Sequence, residues 1–211
     1  MFITFEGIEG SGKTSQQKRL AGSLRAGGRS VLVTKEPGGT PLADRIRAML
    51  LDSSSVIDPI AEVLLFAASR RQHTMEAIRP ALIRGEVVLC DRYADSTLAY
   101  QGFGRLIDLD RLRVLNDWAT DSLLPNLTIL FDLDEEVGLR RARSRNASAI
   151  ADEGRFEAED LRFHRRVREG YRSLALAEPE RFVVIDAGGS SDDVEQRVTA
   201  ALRERAPQLR L

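Results

Sequence analysis

Residues Phe2–Thr14 read FITFEGIEGSGKT, an apolar run followed by GIEGSGKT at Gly7–Thr14. The second part fits the spacing G-x-x-x-x-G-K-[ST], and it lies between a strand-like segment and a helix-like one, Ser15–Ala26, as that motif requires. Gly7, Gly10 and Gly12 allow the backbone to fold so that successive N–H groups point inward at an anion. The helix that follows offers the positive end of its dipole to the same anion. Ile8, Glu9 and Ser11 complete the loop, Lys13 is expected to reach the β- and γ-phosphates, and the Thr14 hydroxyl is expected to ligate Mg²⁺. The segment therefore reads as a nucleoside triphosphate cradle, with ATP as the expected ligand.

Working outward, four more short apolar runs recur along the chain: Ser30–Lys35 (SVLVTK), Glu86–Asp91 (EVVLCD), Leu127–Asp132 (LTILFD) and Arg181–Asp186 (RFVVID). Each is rich in Val, Ile, Leu or Phe and is bounded by turn formers or acids, and helix-period stretches separate them. Strands alternating with helices predict an α/β fold of three layers, a five-stranded parallel sheet flanked by helices. Asp91, Asp132 and Asp186 stand at the carboxyl ends of their strands, where such sheets bind ligands. Arg140–Arg166 is dense in charge with a small, polar middle, and predicts a helix, a loop and a second helix. It reads as a helical lid over about residues 140–160 of a single domain spanning 1–211.

Composition narrows the classes. The 211 residues carry a net charge of −1, which argues against a nucleic-acid binder with a broad basic face. Only Lys13, Lys18 and Lys35 are lysines among the 31 cationic residues; the rest are arginines, whose planar fork suits phosphate. A lone Cys90 and two histidines, His73 and His164, leave no material for a disulfide framework or a Cys/His metal cluster. The longest apolar run, Val63–Ala68, is far short of the ~18 residues of a membrane span. The expectation is a soluble cytoplasmic protein with neither nucleic-acid nor membrane partners.

The cradle fixes the ligand class and not the use of its energy. No N-K-x-D guanine motif is present, the loop lacks the second lysine of partitioning ATPases, and the chain is short for a motor. Small-molecule kinases remain. Within them, KEPGGT at Lys35–Thr40, FAASR at Phe66–Arg70, DRYADSTLAYQ at Asp91–Gln101 and RFEAEDLRFHRRVREGY at Arg155–Tyr171 together resemble bacterial thymidylate kinase, over nearly the whole chain. Another small kinase of the same loop class, acting on a different acceptor, is the alternative. A nucleotide-binding module without transfer is a third.

Some roles follow from the residues and others only from the resemblance. Phe66 and Arg70 are spaced i, i+4, so they share a helix face, where a ring can stack on a base and a guanidinium can meet a carbonyl; the resemblance makes that base thymine and the carbonyl O4. A strand-terminal Asp91 beside the cradle is placed for Mg²⁺, and Arg92 can clamp an acceptor phosphate. The resemblance gives Thr97, Tyr100 and Gln101 to the base and sugar of dTMP, with Tyr100 filling the space of a 2′-hydroxyl. It gives Glu9 to the sugar 3′-hydroxyl or the metal's water shell. It puts a cis bond before Pro37, in a loop with Glu36 that backs the acceptor phosphate. The lid pattern Asp-Arg-x-Glu is Gly154–Arg155–Phe156–Glu157 here, without its Asp. Because positions 8, 9 and 11 hold no arginine, the resemblance assigns the transition-state cation to the lid, with Arg155 ranked first and Arg145 next. Arg141, i−4 to Arg145, suits an adenine or phosphate clamp. A homodimer through helices near Asp58–Leu82 is also implied.

Overall fold

The computed structural model describes residues 1–146 and 154–210, and not the side chains of Arg145 and Asn146. The centre of the expected lid therefore lies outside the described residues.

The five apolar runs form strands β1 (Phe2–Glu6), β2 (Val31–Lys35), β3 (Val87–Asp91), β4 (Leu127–Asp132) and β5 (Phe182–Asp186). They pair in parallel in the order β2-β3-β1-β4-β5. Every residue of β1 and β3 is buried, which is why those runs are not alternating. Two residues of β1 are polar, Thr4 and Glu6; Thr4 hydrogen-bonds Thr128 of β4 at 2.9 Å, so that neither hydroxyl is left unpaired in the core.

The order puts β1 at the centre, between β3 and β4, with Phe5 level with Asp91 and Glu6 level with Leu130. From β1 the chain crosses to the edge strand β2, returns to β3, and then passes to β4 and β5 on the other side, so the connections leave β1 and β4 in opposite directions and the loop leaving β1 sits at the topological switch of the sheet, the usual ligand crevice. That loop is Gly7–Gly12, and helix α1 (Lys13–Ala26) starts from it.

On the β2–β3 side lie α2 (Pro41–Leu51) and α3 (Pro59–His73), each with a proline in its first turn and a capping side chain, Thr40 and Asp58. α3 runs through a π turn, Thr74–Ile78, into α4 (Arg79–Ile83). Pro80 explains the interruption: it has no N–H for the helix ladder, and a wider turn before it relieves its ring. A second π segment, Leu98–Gly104, extends α5 (Ala94–Thr97), and α6 (Leu109–Thr120) follows. Neither π segment is foreshadowed by apolar periodicity. On the far side α7 (Glu135–Asn146) and α8 (Leu161–Ala177) flank the lid, and α9 (Ser191–Arg205) closes the fold behind a Ser190–Asp193 capping box. Among the described residues no helix is long and apolar enough to cross a membrane.

Candidate active site

The cradle is held open by close backbone contact with α7. A Cβ on Gly10 would lie 2.1 Å from the Gly138 carbonyl oxygen, and one on Gly138 would lie 2.6 Å from that of Glu9. Two facing glycines thus let α7 lie on the loop. This brings Arg141 across it, and the Arg141 guanidinium reaches the Ala187 and Gly189 carbonyls at 3.4 Å each. The Ile8 side chain is core, and its carbonyl serves the site. Lys13 is buried, with Nζ donating to the Gly7 and Ile8 carbonyls at 3.0 and 2.8 Å and to Ser11 Oγ at 3.3 Å. Burial first, then the neighbouring Arg92 charge, pull its pKa down to about 8. Beside it the Thr14 hydroxyl donates to Asp91 Oδ2.

Arg92 is the hub of the next group. It takes a positive φ of 70° directly after β3, a conformation uncommon for a residue with a Cβ. Its Nη1 donates to the Gly7 carbonyl at 3.0 Å and to the Tyr171 and Ser96 hydroxyls at 3.1 and 3.3 Å. Its Nη2 donates to Glu9 Oε1 and to the Tyr100 hydroxyl, both at 2.9 Å. The Tyr100 hydroxyl donates in turn to Glu9 Oε1 at 2.7 Å, and the Tyr100 ring lies under the guanidinium at 4.8 Å. Burial opposes ionisation of Glu9, but Arg92, followed by His164 and Lys13, holds its carboxyl far below the usual range.

Glu6, the last residue of β1, supports this cluster from beneath. Its Oε1 accepts from the Tyr93 N–H at 2.7 Å, and its Oε2 accepts from the Ser96 and Tyr171 hydroxyls at 2.6 and 2.8 Å. Burial and the nearby Asp95 push its pKa up to about 7.

A third set reads the other end of the crevice. Arg70 is the largest fully buried side chain. It donates to Glu36 Oε2 at 2.8 Å, Thr97 Oγ1 at 2.9 Å, Asn116 Oδ1 at 2.7 Å and the Tyr93 carbonyl at 3.0 Å. Four of its five N–H donors are thus engaged, leaving one on Nη2. His73 Nδ1 donates to Glu36 Oε1 at 3.0 Å, and its Nε2 accepts from Thr34 at 2.6 Å. The Glu36–Pro37 bond is cis, as the resemblance implied, and the Pro37 carbonyl accepts from Arg47 at 3.1 Å. Phe66 is half-buried, its ring 6.0 Å from that of Phe156.

The fold of the chain is thus that of a phosphate-loop enzyme with two anion-ready clusters side by side. A family model described as thymidylate kinase matches residues 5–198. The chain belongs to the thymidylate kinase family. It is 55% identical over 199 residues to a thymidylate kinase of Syntrophotalea carbinolica, covering 93% of this chain and 92% of that one. It is 53% identical over 205 residues to that of Deinococcus radiodurans, covering 97% of each. The crystal structure of thymidylate kinase from Ehrlichia chaffeensis superposes with a TM-score of 0.76 at 36% identity, covering 96% of this chain and 98% of that one.

Two residues assigned to the kinase site by sequence are held here by other protein groups. Arg155 is held by Glu62 Oε2 at 2.7 Å and the Leu50 carbonyl at 3.2 Å, with the Phe156 ring beneath it; none of its described contacts is with the phosphate loop. Gln101 donates to Glu62 Oε1 at 2.8 Å. Glu62 is fully buried and also pairs with Arg105, and these donors outweigh burial to keep its carboxyl low. The side chain of Arg145 lies outside the described residues. Sequence reasoning assigned no role to Glu6, Glu62, Ser96, Arg105, Phe156 or Tyr171. Glu6, Ser96, Phe156 and Tyr171 lie inside segments already quoted, and Glu62 and Arg105 lie within four residues of one.

Proposed function

We infer that the chain transfers the γ-phosphoryl group of ATP to dTMP, giving ADP and dTDP. The observation that carries this reading is the bonded set Glu9–Arg92–Tyr100. It joins the donor cradle to the segment that supplies the acceptor contacts, so that two nucleotides would meet end to end at Arg92. Family membership supplies the identity of the acceptor.

The acceptor phosphate has a second pKa of about 6, so it is already mostly the dianion at neutral pH and no general base is assigned. The task is to bring two polyanions together in line. Lys13 would turn from the loop carbonyls to the donor phosphates, and that anionic charge would restore its full protonation. Arg92 would leave part of its hydroxyl network for the acceptor phosphate. Gly7, Ile8, Glu9, Gly10, Ser11, Gly12 and Thr14 supply the backbone cradle, and Arg141, beside the Ala187–Gly189 carbonyls, suits the adenine end. Phe66 would stack on thymine, and the remaining N–H of Arg70 would donate to O4. Thr97 and Glu36 hold Arg70 in place, and Pro37 backs the loop.

Mg²⁺ fits the residues present. Thr14 and Asp91 already converge, and among the described residues no set of three or more His, Cys, Asp or Glu could cage a metal alone. This suits an ion that keeps waters and binds mainly to phosphates. When bound, Mg²⁺ would neutralise negative charge on the donor phosphates. Glu9 was also expected at the metal, but with Oε1 engaged by Arg92 and Tyr100 its free oxygen is better matched to the acceptor sugar. A cytoplasmic location and a homodimer complete the proposal.

The test is an ADP-release assay with ATP–Mg²⁺ and separate acceptors dTMP, dUMP, dCMP, AMP and shikimate, with a no-acceptor control. Strong preference for dTMP is expected. Preference for another acceptor would favour a different small kinase, and release of ADP without any acceptor would leave only the cradle reading.

A further inference from the structure

Helix α8 carries a buried histidine that the proposed mechanism does not use. His164 is fully buried, and among the described residues neither of its ring nitrogens has a hydrogen-bond partner. Its Nδ1 lies 3.5 Å from Glu9 Oε2, which is buried and equally unpartnered. The other oxygen of Glu9 is fully committed to Arg92 and Tyr100. An ionised carboxylate only accepts, so the nitrogen facing it must carry the hydrogen. Two complementary orphans, one on the phosphate loop and one on α8, face each other in an unfinished hydrogen bond. A buried polar atom without a partner is rarely retained for packing alone.

We propose that His164 is a positioning residue for the acceptor sugar, donating from Nδ1 to Glu9 Oε2 and so fixing the direction in which that oxygen's remaining lone pair meets the sugar 3′-hydroxyl. This rests on the reading of Glu9 as a sugar contact. The sugar, rather than the metal, is favoured because Glu9 is bonded to Tyr100 on the acceptor side, whereas Thr14 and Asp91 pair separately. Without the imidazole the carboxylate would still be anchored at Oε1 by Arg92 and Tyr100, but free to rotate about that anchor. The loss would then fall on acceptor binding and not on the transfer step.

The experiment compares the full-length wild type with His164→Leu and His164→Asn. It measures kcat and KM for dTMP and for its 3′-deoxy analogue, with thermal melting alongside. Asparagine can place an N–H close to the position of Nδ1. His164→Leu is expected to raise KM for dTMP about tenfold, the scale of one hydrogen bond to a charged group, with kcat within about twofold. KM for the 3′-deoxy analogue should not change, and His164→Asn should recover most of the loss. Equal loss on both acceptors, a fall in kcat alone, a changed Mg²⁺ requirement with KM intact, or an asparagine variant no better than leucine would each overturn the assignment. If leucine does not fold, the asparagine variant and the analogue decide it. Failure of the wild type itself on dTMP would instead overturn the acceptor reading on which this rests.

Discussion

Arg155 is the residue whose place in the sequence and place in the structure differ most. Its motif suggests a cation for the transferred phosphate, but its bonds are to Glu62 and the Leu50 carbonyl, beside the Phe156–Phe66 ring pair. Glu62 is a buried charge satisfied jointly by Gln101, Arg105 and Arg155, and removing one donor from such a set leaves part of the charge uncompensated. Arg155→Ala is therefore expected to raise KM for dTMP about tenfold, about 1.4 kcal/mol, with kcat within a few-fold. Steady-state kinetics decide it: a fall in kcat of the 10³–10⁵ order of an arginine finger, with KM unchanged, would return Arg155 to the transferred phosphate. The same contrast shows what a sequence can convey about a site. That Lys13, Thr14, Asp91 and Arg92 lie together was legible because fixed spacing ties each to the phosphate loop or to the end of β3, whereas Tyr100 was reached only through the resemblance. The partners of Arg155 and Arg70 were not legible. Glu62 of α3 meets Arg155 from just before α8, and Asn116 of α6 meets Arg70 of α3, and only the tertiary packing of those elements decides which buried acid meets which buried base.

At the scale of elements, the five strands fall within one residue of where their apolar runs put them. Those elements are specified locally, by composition and by turn residues or caps at their ends. The π segments at Thr74–Ile78 and Leu98–Gly104 are not, since the extra residue per turn answers to Pro80 in one case and to packing on α8 in the other. The contact of α7 with the phosphate loop is likewise invisible in periodicity, because it depends on the absence of two side chains. Gly138 sits inside α7, where alanine would favour the helix by roughly 1 kcal/mol. Its Cβ would nevertheless lie 2.6 Å from the Glu9 carbonyl oxygen, in the backbone of the loop itself. Gly138→Ala should thus keep the fold and displace α7, with Arg141, from the cradle. The expected result is a rise of about tenfold in KM for ATP with KM for dTMP within about twofold. An unchanged KM for ATP would mean that α7 can yield without disturbing nucleotide binding.

At the scale of the molecule, the apolar surface is unevenly spread. α3 and α6 pack side by side, with Arg71 donating to the Trp118 carbonyl at 3.2 Å. They share an outer surface carrying Ile60, Leu64, Val114 and Trp118, of which Trp118 is 74% and Leu64 55% exposed. Each helix thus carries an i, i+4 pair of exposed apolar residues, and exposed apolar patches of more than a few hundred Å² usually mark an interface. A second copy of the chain is the partner proposed above, and a twofold pairing of such a face with itself would bury it without any new surface. The same helix, α3, carries Phe66, Arg70 and Glu62, so association would also stiffen the helix proposed above to read the base. Light scattering on the eluted protein should give twice the 23.5 kDa chain mass for the wild type. Leu64→Glu and Trp118→Glu should each give a single-chain mass at low micromolar concentration and a raised KM for dTMP. Ile83→Glu, at a residue 85% exposed but on α4, is the matched control and should leave the mass doubled. A wild type of single-chain mass, or a dimer that survives both substitutions, would exclude this face as the interface.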